Sequence, residues 1–222
     1  MRNLLLLGTT LAILNPLTTF AWGGRGHELV AETGSKITDN KFWTANSGAM
    51  KAMSTVPDFR WKSTDHAEEE KPTHWFQVDY YYPKSDDYSA FPLKYSDAIS
   101  KYSTNTVVKN GTAPWRVMQL YTYAVEALKK GQLEQALQFA GTMTHYVGDL
   151  SQPLHVTTNY DGKDTGNPGI HSFFETENLR SLTDRDIQEI ESQARTLMND
   201  KNFQALFKQG LYRFTFAEIK RS

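Results

Sequence analysis

The stretch that most constrains this chain is residues 144–155, THYVGDLSQPLH. If residues 132–150 form a helix, as their apolar spacing indicates, His145 and Asp149 project from one face because they are four positions apart. Pro153 ends such a helix, so His155 can turn back toward the same centre. Two imidazoles and a carboxylate suit zinc better than calcium or magnesium, which prefer oxygen ligands. The stretch therefore predicts a metal site at the end of a helix.

Composition narrows the class of protein. The 222 residues, 39% of them hydrophobic, are enough for one domain with a sizeable core. A formal net charge of −1 gives no support to salt-driven binding of duplex DNA, which usually requires a basic surface. The chain has no cysteine, which excludes disulfides and thiolate metal sites. Bound metal can stabilise such a domain instead.

The first 21 residues have the pattern of a secretory signal peptide. Arg2 precedes an apolar run over residues 4–14, and Thr19-Phe20-Ala21 has the small-x-small form of a cleavage site. The run is too short to span a bilayer as a helix. We expect removal of residues 1–21, which leaves one soluble domain over residues 22–222 that is secreted or periplasmic.

The rest of the chain predicts an all-α fold. No alternating strand pattern longer than a few residues occurs, and apolar residues recur at helical spacing. Glycines are expected to keep the backbone pliable up to a helix that starts near His27, and Pro57-Asp58 is expected to mark a turn at a helix end. The predicted helices cover residues 27–37, 42–53, 95–102, 114–130 and 132–150, a segment from 170 through 175, a segment that Thr183 caps, and an amphipathic segment over 203–219.

Further histidines lie beside residues that could complete a metal site. His171 and Glu175 are four apart, so they share a face if they lie on a helix. His74 precedes Trp75 in an aromatic segment and has the character of a polar ligand held in an apolar wall. One such histidine is more often a core or surface residue. Two His-x3-acid pairs and a histidine positioned by proline are hard to explain by packing, so the set favours metal binding.

Some candidates have a simpler interpretation when each is taken alone. Trp22 would carry a free amino group after cleavage, yet as an isolated pair Trp22 and His27 are better explained as a core residue and a surface residue. Asp58 resembles the many aspartates that cap helices or face solvent. Residues 65–71, DHAEEEK, are expected to be a solvent-facing acidic run in which His66 has no functional role.

The ordered set of candidates resembles a known superfamily. The HxxxDxxxxxH block at 145–155 is matched without gaps, and the resemblance covers nearly the whole chain after residue 21. The chain resembles the trinuclear zinc enzymes of the S1/P1 nuclease and bacterial zinc-dependent phospholipase C superfamily, which implies a single-domain, all-α, multi-helix bundle. The matching positions, in order, are Trp22, His27, Asp58, His74, His145, Asp149, His155, His171 and Glu175.

The resemblance implies three zinc ions. The first would be bound by Asp58, His74, His145 and Asp149. The second would be bound by His155, His171 and Glu175. The third would be bound by the amino group and carbonyl oxygen of Trp22, by His27 and by an oxygen shared from Asp149. A carboxylate suits this bridging position because it has two oxygens.

The same resemblance implies hydrolysis of phosphate esters. Paired metal ions lower the pKa of a bridging water and neutralise phosphoryl oxygens as charge builds. Asp58 is implied to orient or deprotonate the attacking water. Arg60 lies close by in sequence, and we interpret it as a surface arginine rather than a phosphate ligand.

Features of the two branches of the superfamily are mixed in this chain. Residues 22–27, WGGRGH, resemble the nucleases, and Trp75 occupies the place of an aromatic residue that stacks on a base there. Glu175 and the short gap between His155 and His171 resemble the phospholipases. Gln77 departs from the nuclease aspartate that reads a base edge, so it leaves base preference open.

The resulting expectation is an exported, zinc-dependent phosphodiesterase that acts on single-stranded nucleic acid or nucleotides. A phospholipase C acting on phospholipid headgroups is the first alternative, and a zinc-binding protein without catalysis is the second. Aromatic side chains that stack on bases would favour nucleic acid, because every base has a π-face. Exposed apolar residues around the cleft would favour lipid. No stable protein partner is implied.

Overall fold

The computed structural model describes residues 23–83 and 90–221, and the prediction of an all-α fold is confirmed. Within those two ranges the regular structure consists of α-helices, short 3₁₀-helices and a π-helix, with no β-strand. The 3₁₀-helices span Lys71–His74, Pro153–His155 and Lys163–Thr165, and the π-helix spans Phe173–Glu177. The α-helices are α1 (Gly23–Ile37), α2 (Lys41–Ala45), α3 (Ser47–Met53), α4 (Val56–Lys62), α5 (Ala67–Glu70), α6 (Val78–Tyr81), α7 (Tyr95–Tyr102), α8 (Thr104–Lys109), α9 (Ala113–Lys129), α10 (Leu133–Leu150), α11 (Ile170–Ser172), α12 (Asn178–Arg180), α13 (Asp184–Met198), α14 (Lys201–Lys208) and α15 (Leu211–Arg221).

Helices α9 and α10 form the centre of the fold. Three residues, 130–132, join them, and such a short connection makes neighbouring helices antiparallel. Pro114 stands in the first turn of α9, where its missing N–H would have no intrahelical partner. The main hydrophobic core surrounds these two helices. It includes Phe76, Phe91, Trp115, Tyr146 and Phe216, and the ring of Phe76 packs edge to face on those of Phe91, Trp115 and Phe216.

A second hydrophobic cluster lies where α1 and α3 pack on α9 and α10. It contains Ala31, Met50, Ala124 and Ala140, one from each helix. Three of these four side chains are methyl groups, so the helices can approach closely. This packing brings α1 against the same helix, α10, that carries His145 and Asp149.

The predicted bounds of the central helices are accurate to one residue, but three other predictions are wrong. Helix α1 begins at Gly23 instead of His27, because burial of Gly26 and His27 against neighbouring helices outweighs the low helix propensity of glycine. Residues 42–53 form two helices, since Asn46 ends α2 with its side-chain amide donated to the carbonyl of Phe42 at 2.7 Å. Asp58 lies in the first turn of α4, at a helix start instead of a helix end.

The C-terminal helices pack more loosely on the bundle than the central ones. Helix α13 starts with a capping box between Thr183 and Asp186 and contains no fully buried residue. Helix α15 returns to the main core through Phe216 and Ile219. In the part of the chain that the structure describes, no helix combines the length and the apolar character needed to cross a membrane.

Candidate metal centre

The last turns of α10 place an imidazole and a carboxylate side by side. His145 and Asp149 are fully buried, and His145 Nε2 lies 3.5 Å from Asp149 Oδ2. On its other side, His145 Nδ1 lies 2.7 Å from the carbonyl oxygen of Ser54. A carbonyl can only accept a hydrogen bond, so Nδ1 carries the proton and the lone pair of Nε2 faces the carboxylate.

The turn after α10 brings His155 back to the same place, as the position of Pro153 predicted. The 3₁₀-helix Pro153–His155 begins where the side-chain oxygen of Gln152 accepts the N–H of Leu154. His155 is buried, and its Nδ1 lies 3.8 Å from Asp149 Oδ1. The same Nδ1 donates to the carbonyl of His74 at 2.5 Å, so Nε2 is left to face Glu175.

His74 enters this cluster from the end of the 3₁₀-helix Lys71–His74 and is fully buried. Its Nδ1 lies 3.0 Å from His145 Nε2 and 3.2 Å from Asp149 Oδ2. The segment that follows it pairs with the segment around His155, because Phe76 N donates to the carbonyl of His155 at 2.9 Å. Backbone hydrogen bonds thus hold the two histidines in a defined relation.

His27 completes this group from the first turns of α1. Its ring stacks on that of His145 with centroids 3.5 Å apart and an interplanar angle of 17°. Its Nε2 lies 3.6 Å from Asp149 Oδ1. His27 is fully buried, so its interpretation as an isolated surface residue is wrong. Ligand atoms of His27, His145 and Asp149 all lie within 4.8 Å of one another.

A second group lies next to the first. Ligand atoms of His155, His171 and Glu175 also lie within 4.8 Å of one another. Glu175 Oε1 is 2.7 Å from His155 Nε2 and 2.8 Å from His171 Nε2. The predicted helix through His171 and Glu175 is an α-helical turn followed by a π-helix, yet the two side chains meet as expected. His171 Nδ1 donates to the carbonyl of Tyr160 at 3.0 Å.

Sequence reasoning missed Gln152 at this second group. The side chain is fully buried, and its amide donates to Glu175 Oε1 at 2.8 Å. Its position between Asp149 and His155, directly before Pro153, was the available signal. Gln152 orients the glutamate, since its own oxygen is held by the backbone of Leu154.

Asp58 lies on α4 close to the first group and is 6% exposed. Its interpretation as a solvent-facing aspartate is therefore wrong. Burial raises the pKa of Asp58 to about 6. The positive field of His74 opposes that rise, and the negative charges of Asp149 and Glu175 add to it. Asp58 thus experiences the field of both groups.

The charges and lone pairs of the cluster favour a positive charge at this place, from a bound metal ion or from a protonated histidine. Neither oxygen of Asp149 accepts a hydrogen bond of good geometry within the described residues, although the side chain is fully buried. A buried carboxylate without donors is costly unless a positive charge compensates it. Desolvation acts to raise its pKa, yet the surrounding histidines hold the pKa of Asp149 below its usual value. Facing ring nitrogens of His74 and His145, 3.0 Å apart, also need a proton or a metal ion between them.

Zinc fits this donor set. Several imidazole nitrogens and two carboxylates, buried and mostly hydrogen-bonded on their outer sides, are the ligand types that zinc binds. The predicted ligands that the structure describes are therefore gathered in one place. Which ligand binds which ion stays a prediction.

Trp22 lies outside the described residues, but its neighbour Gly23 is informative. A Cβ placed on Gly23 would lie 3.3 Å from the carbonyl oxygen of Glu175, and the φ of Gly23 is +29°. The residue that follows Trp22 is therefore in backbone contact with a segment of the second group.

Two tryptophans stand beside the cluster. Trp75 is half-buried, and its Nε1 donates to the carbonyl of Lys109 at 3.3 Å. The ring of Trp61, which sequence reasoning missed, lies 6.0 Å from that of Trp75 and 4.6 Å from that of His74. The close approach of Gly111 fixes the Trp75 backbone, because a Cβ there would lie 1.9 Å from the Trp75 carbonyl oxygen.

The acidic run at residues 65–71 is only partly a surface feature. His66 and Glu69 are exposed as expected, but Glu70 is 2% exposed. Arg60 Nε donates to Glu70 Oε2 at 2.7 Å, so this arginine is committed to an ion pair. The prediction that the whole run faces solvent is wrong at Glu70. Its burial is made possible by Arg60, 10 positions before it, and by Tyr146, 76 positions after it.

The fold and the cluster together define a helical protein with a buried centre of histidines and carboxylates suited to several metal ions. A family model gives the particular family: the model described as S1/P1 nuclease matches residues 22–221, so the chain belongs to the S1/P1 nuclease family. No curated protein and no solved structure matched the chain in two further comparisons.

Membership establishes the general activity. The chain is a hydrolase that acts on phosphodiester bonds, and its family implies a nucleic acid substrate. The family is zinc-dependent in general, which agrees with the two groups of potential ligands. The expectation of a phosphodiesterase is confirmed at this level.

Proposed function

We propose that this chain is an exported nuclease that hydrolyses single-stranded nucleic acid with three zinc ions. The observation that carries the proposal is the convergence of buried histidines and carboxylates on Asp149, whose oxygens have no good hydrogen-bond donor among the described residues. Family membership supports the phosphodiester chemistry.

The proposed ligand sets follow the resemblance to the superfamily. One ion is assigned to Asp58, His74, His145 and Asp149, and a second to His155, His171 and Glu175. The third is assigned to the amino group and carbonyl of Trp22, to His27 and to Asp149. The contacts of Asp149 with His27 on one oxygen and with His74 and His145 on the other support its bridging role.

The bound zinc ions would supply an acidified water and positive charge for the phosphoryl oxygens. The chain's own residues would do the positioning. The carboxylate of Asp58, buried beside the first group, would orient the attacking water. Gln152 would hold Glu175 in place through its amide hydrogen bond.

The aromatic side chains beside the centre support a single-stranded substrate. Trp75 and Trp61 form a corner with an interplanar angle of 56° next to His74. An unpaired base could stack on either ring, whereas bases in a duplex do not present their faces. The net charge of −1 also gives a duplex backbone little electrostatic attraction.

Hydrolysis of phospholipid is the alternative that specific observations favour. Phe59 follows the proposed ligand Asp58 and is 70% exposed. Phe173 lies two positions from the proposed ligands His171 and Glu175 and is 55% exposed. Exposed apolar side chains near the centre could also contact a lipid surface. Glu175 and the short interval from His155 to His171 point the same way.

The deciding experiment compares single-stranded DNA, RNA and phosphatidylcholine vesicles side by side, with and without a chelator. The proposal predicts chelator-sensitive cleavage of nucleic acid, and the variant Trp75→Ala should lose that activity selectively. Cleavage of phosphatidylcholine in preference to nucleic acid would replace the proposal with the alternative. Zinc binding without hydrolysis of any of the three would leave a non-catalytic zinc protein.

Export is the remaining part of the proposal. Residues 1–21 are proposed to be a signal peptide, and the domain is proposed to occupy residues 22–222, secreted or periplasmic. The match of the family model from residue 22 supports this boundary. The contact of Gly23 with Glu175 supports an amino terminus beside the second group. Mass spectrometry of the exported protein tests it, since any start other than Trp22 would contradict the boundary.

A further inference from the structure

One histidine at the centre, His74, differs from three others in the partner of its outward-facing ring nitrogen. The other three donate from Nδ1 to a backbone carbonyl: His145 to Ser54 at 2.7 Å, His155 to His74 at 2.5 Å, and His171 to Tyr160 at 3.0 Å. His74 is turned the other way. Its Nδ1 faces the cluster, and its Nε2 lies 3.6 Å from Glu70 Oε1, within ion-pair distance but longer than a hydrogen bond.

Glu70 is a buried carboxylate held by side chains from three segments. Arg60 Nε donates to Oε2 at 2.7 Å and the Tyr146 hydroxyl donates to Oε1. The Thr73 hydroxyl donates to the Glu70 carbonyl at 2.6 Å and lies 3.2 Å from Oε1. Tyr146 follows His145 on α10, so the carboxylate links the segment that carries His74 to the helix that carries His145 and Asp149. An arginine and a tyrosine hydroxyl compensate the burial of its charge.

The position of Glu70 Oε1 bears on the tautomer of His74. A neutral imidazole has one N–H, and the nitrogen that binds a metal must present its lone pair. A carboxylate facing Nε2 favours the proton on Nε2, and this leaves the lone pair of Nδ1 directed at His145 and Asp149. Histidines that bind metal commonly present their other ring nitrogen to a carboxylate, which raises their basicity as ligands.

We propose that Glu70 is a positioning residue for the metal centre, which sets the tautomer and orientation of His74 so that Nδ1 binds the metal ion. The inference rests on the proposed assignment of His74 as a zinc ligand. Glu70 itself does not touch the reacting atoms. Its role differs from that of Arg60, whose contact with the other carboxylate oxygen holds Glu70 in place.

The test compares Glu70→Gln with Glu69→Gln, an exposed neighbour on the same helix that undergoes the same change of charge. Each zinc-loaded protein is titrated with a chelator, and the ions lost per chain are measured. Glu70→Gln should release an ion at a chelator concentration about 10- to 100-fold lower than the parent, the usual effect of removing such a partner. Glu69→Gln should match the parent. Equal retention by both variants would overturn the proposal.

A second measurement does not depend on the folding of Glu70→Gln. In the zinc-loaded parent protein labelled with ¹⁵N-histidine, the resonances of His74 are assigned by their loss in His74→Gln. A proton on Nε2 with Nδ1 bound to metal supports the proposal, and a proton on Nδ1 refutes it.

The same variants separate this inference from the proposed function. If His74→Gln holds zinc as tightly as the parent, His74 is not a ligand, and the assignment of the centre fails together with this proposal. If His74→Gln releases an ion early while Glu70→Gln does not, the ligand assignment stands and only the role of Glu70 is refuted.

Discussion

At the scale of single residues, Gly111 controls the aromatic side chain beside the metal centre. Its φ of +98° is one that glycine adopts easily, and a Cβ would lie 1.9 Å from the carbonyl oxygen of Trp75. The contact is with backbone, so a larger residue cannot be accommodated by a rotamer change. The Trp75 ring, held on its other side by the carbonyl of Lys109, would have to move.

The first prediction is that Gly111→Ala weakens binding of single-stranded substrate. Base stacking on an aromatic side chain contributes about 1–3 kcal/mol, so the KM for an oligonucleotide should rise by about 10-fold. Gly131→Ala is the matched control, because Gly131 also has a positive φ, +72°, but a Cβ there meets nothing within 4 Å. Steady-state kinetics on both variants measure the effect. Equal KM values for the two would show that the position of Trp75 does not matter for binding.

The second prediction concerns the proposed bridging carboxylate. Asp149→Ala should lose zinc and all measurable hydrolysis, because both of its oxygens face ring nitrogens of the cluster. His66→Ala should keep both properties, because His66 is exposed at the start of α5. Metal analysis and turnover are measured on each variant. A His66 variant as inactive as the Asp149 variant would mean that the ligand assignment is wrong.

The residues at the centre differ in how well the sequence predicted them. His145 and Asp149 are predictable because helical periodicity alone places them on one face. Glu70 was not, because its sequence neighbours are exposed glutamates and its burial depends on Tyr146, 76 positions away. A local pattern carries no information about such a distant partner. Gln152 was missed for a similar reason, since its partner Glu175 lies 23 positions further on.

At the scale of elements, the long amphipathic helices were predictable and the irregular ones were not. Helix α10 has apolar residues at helical spacing over its whole length, and its predicted end agrees with the structure. The π-helix Phe173–Glu177 has no pattern that distinguishes it from an α-helix. Its sequence, FFETE, shows no proline or glycine that would mark an irregularity. The spacing of His171 and Glu175 therefore predicted their contact without predicting the helix type.

The start of α1 links the helix bundle to the proposed amino terminus. Because α1 begins at Gly23, regular structure is already present at the second residue after the proposed cleavage point. Gly23 packs against the carbonyl of Glu175. An amino group on Trp22 is thus one residue from a backbone contact with the second group.

The third prediction is that one extra alanine before Trp22 removes a zinc ion and lowers activity. The extension converts the amine of Trp22 into an amide nitrogen, which has no lone pair available for a metal. Protein that starts at Trp22 and protein that starts one alanine earlier are compared for zinc per chain and for phosphodiester hydrolysis. A Trp22→Ala variant with the original start serves as control, because it keeps the amine. Full zinc content and full rate in the extended protein would show that the amino terminus is not a ligand.

At the scale of the whole molecule, the predicted metal centre joins segments that the hydrophobic cores only partly connect. Predicted ligands come from α1, α4, the 3₁₀-helices before Trp75 and after α10, α10 itself and the segment around the π-helix. The all-α class was predictable from apolar periodicity, but the way in which these segments cross was not. Their arrangement depends on packing among small side chains such as Ala31 and Ala140, which one sequence does not reveal.

No disulfide can take the place of the predicted metal centre, and the ion pairs of lysine and arginine among the described residues are mostly exposed. The chain has no cysteine for a disulfide. The ion pairs between α1 and its neighbours, such as Lys51 with Glu28 at 3.3 Å, are exposed and contribute little. The predicted ligands at the centre are mostly buried, so we expect their carboxylates and facing ring nitrogens to destabilise the folded state when no cation compensates them.

The last prediction is therefore that the protein purified without its first 21 residues binds three zinc ions and unfolds at a markedly lower temperature when they are removed. A ligand that binds only the folded state at about 1,000 times its Kd stabilises that state by about 4 kcal/mol. In a chain of this size each kcal/mol changes Tm by about 2–4 °C, so loss of even one such ion should lower Tm by about 10 °C.

Metal analysis gives the stoichiometry, and thermal unfolding followed by circular dichroism, with and without chelator, gives the shift. Restoring zinc should restore Tm, whereas calcium should not, because imidazole-rich sites favour zinc. One ion or none per chain at saturating zinc, or an unchanged Tm after chelation, would mean that the buried histidines and carboxylates are held by protons and hydrogen bonds and not by metal.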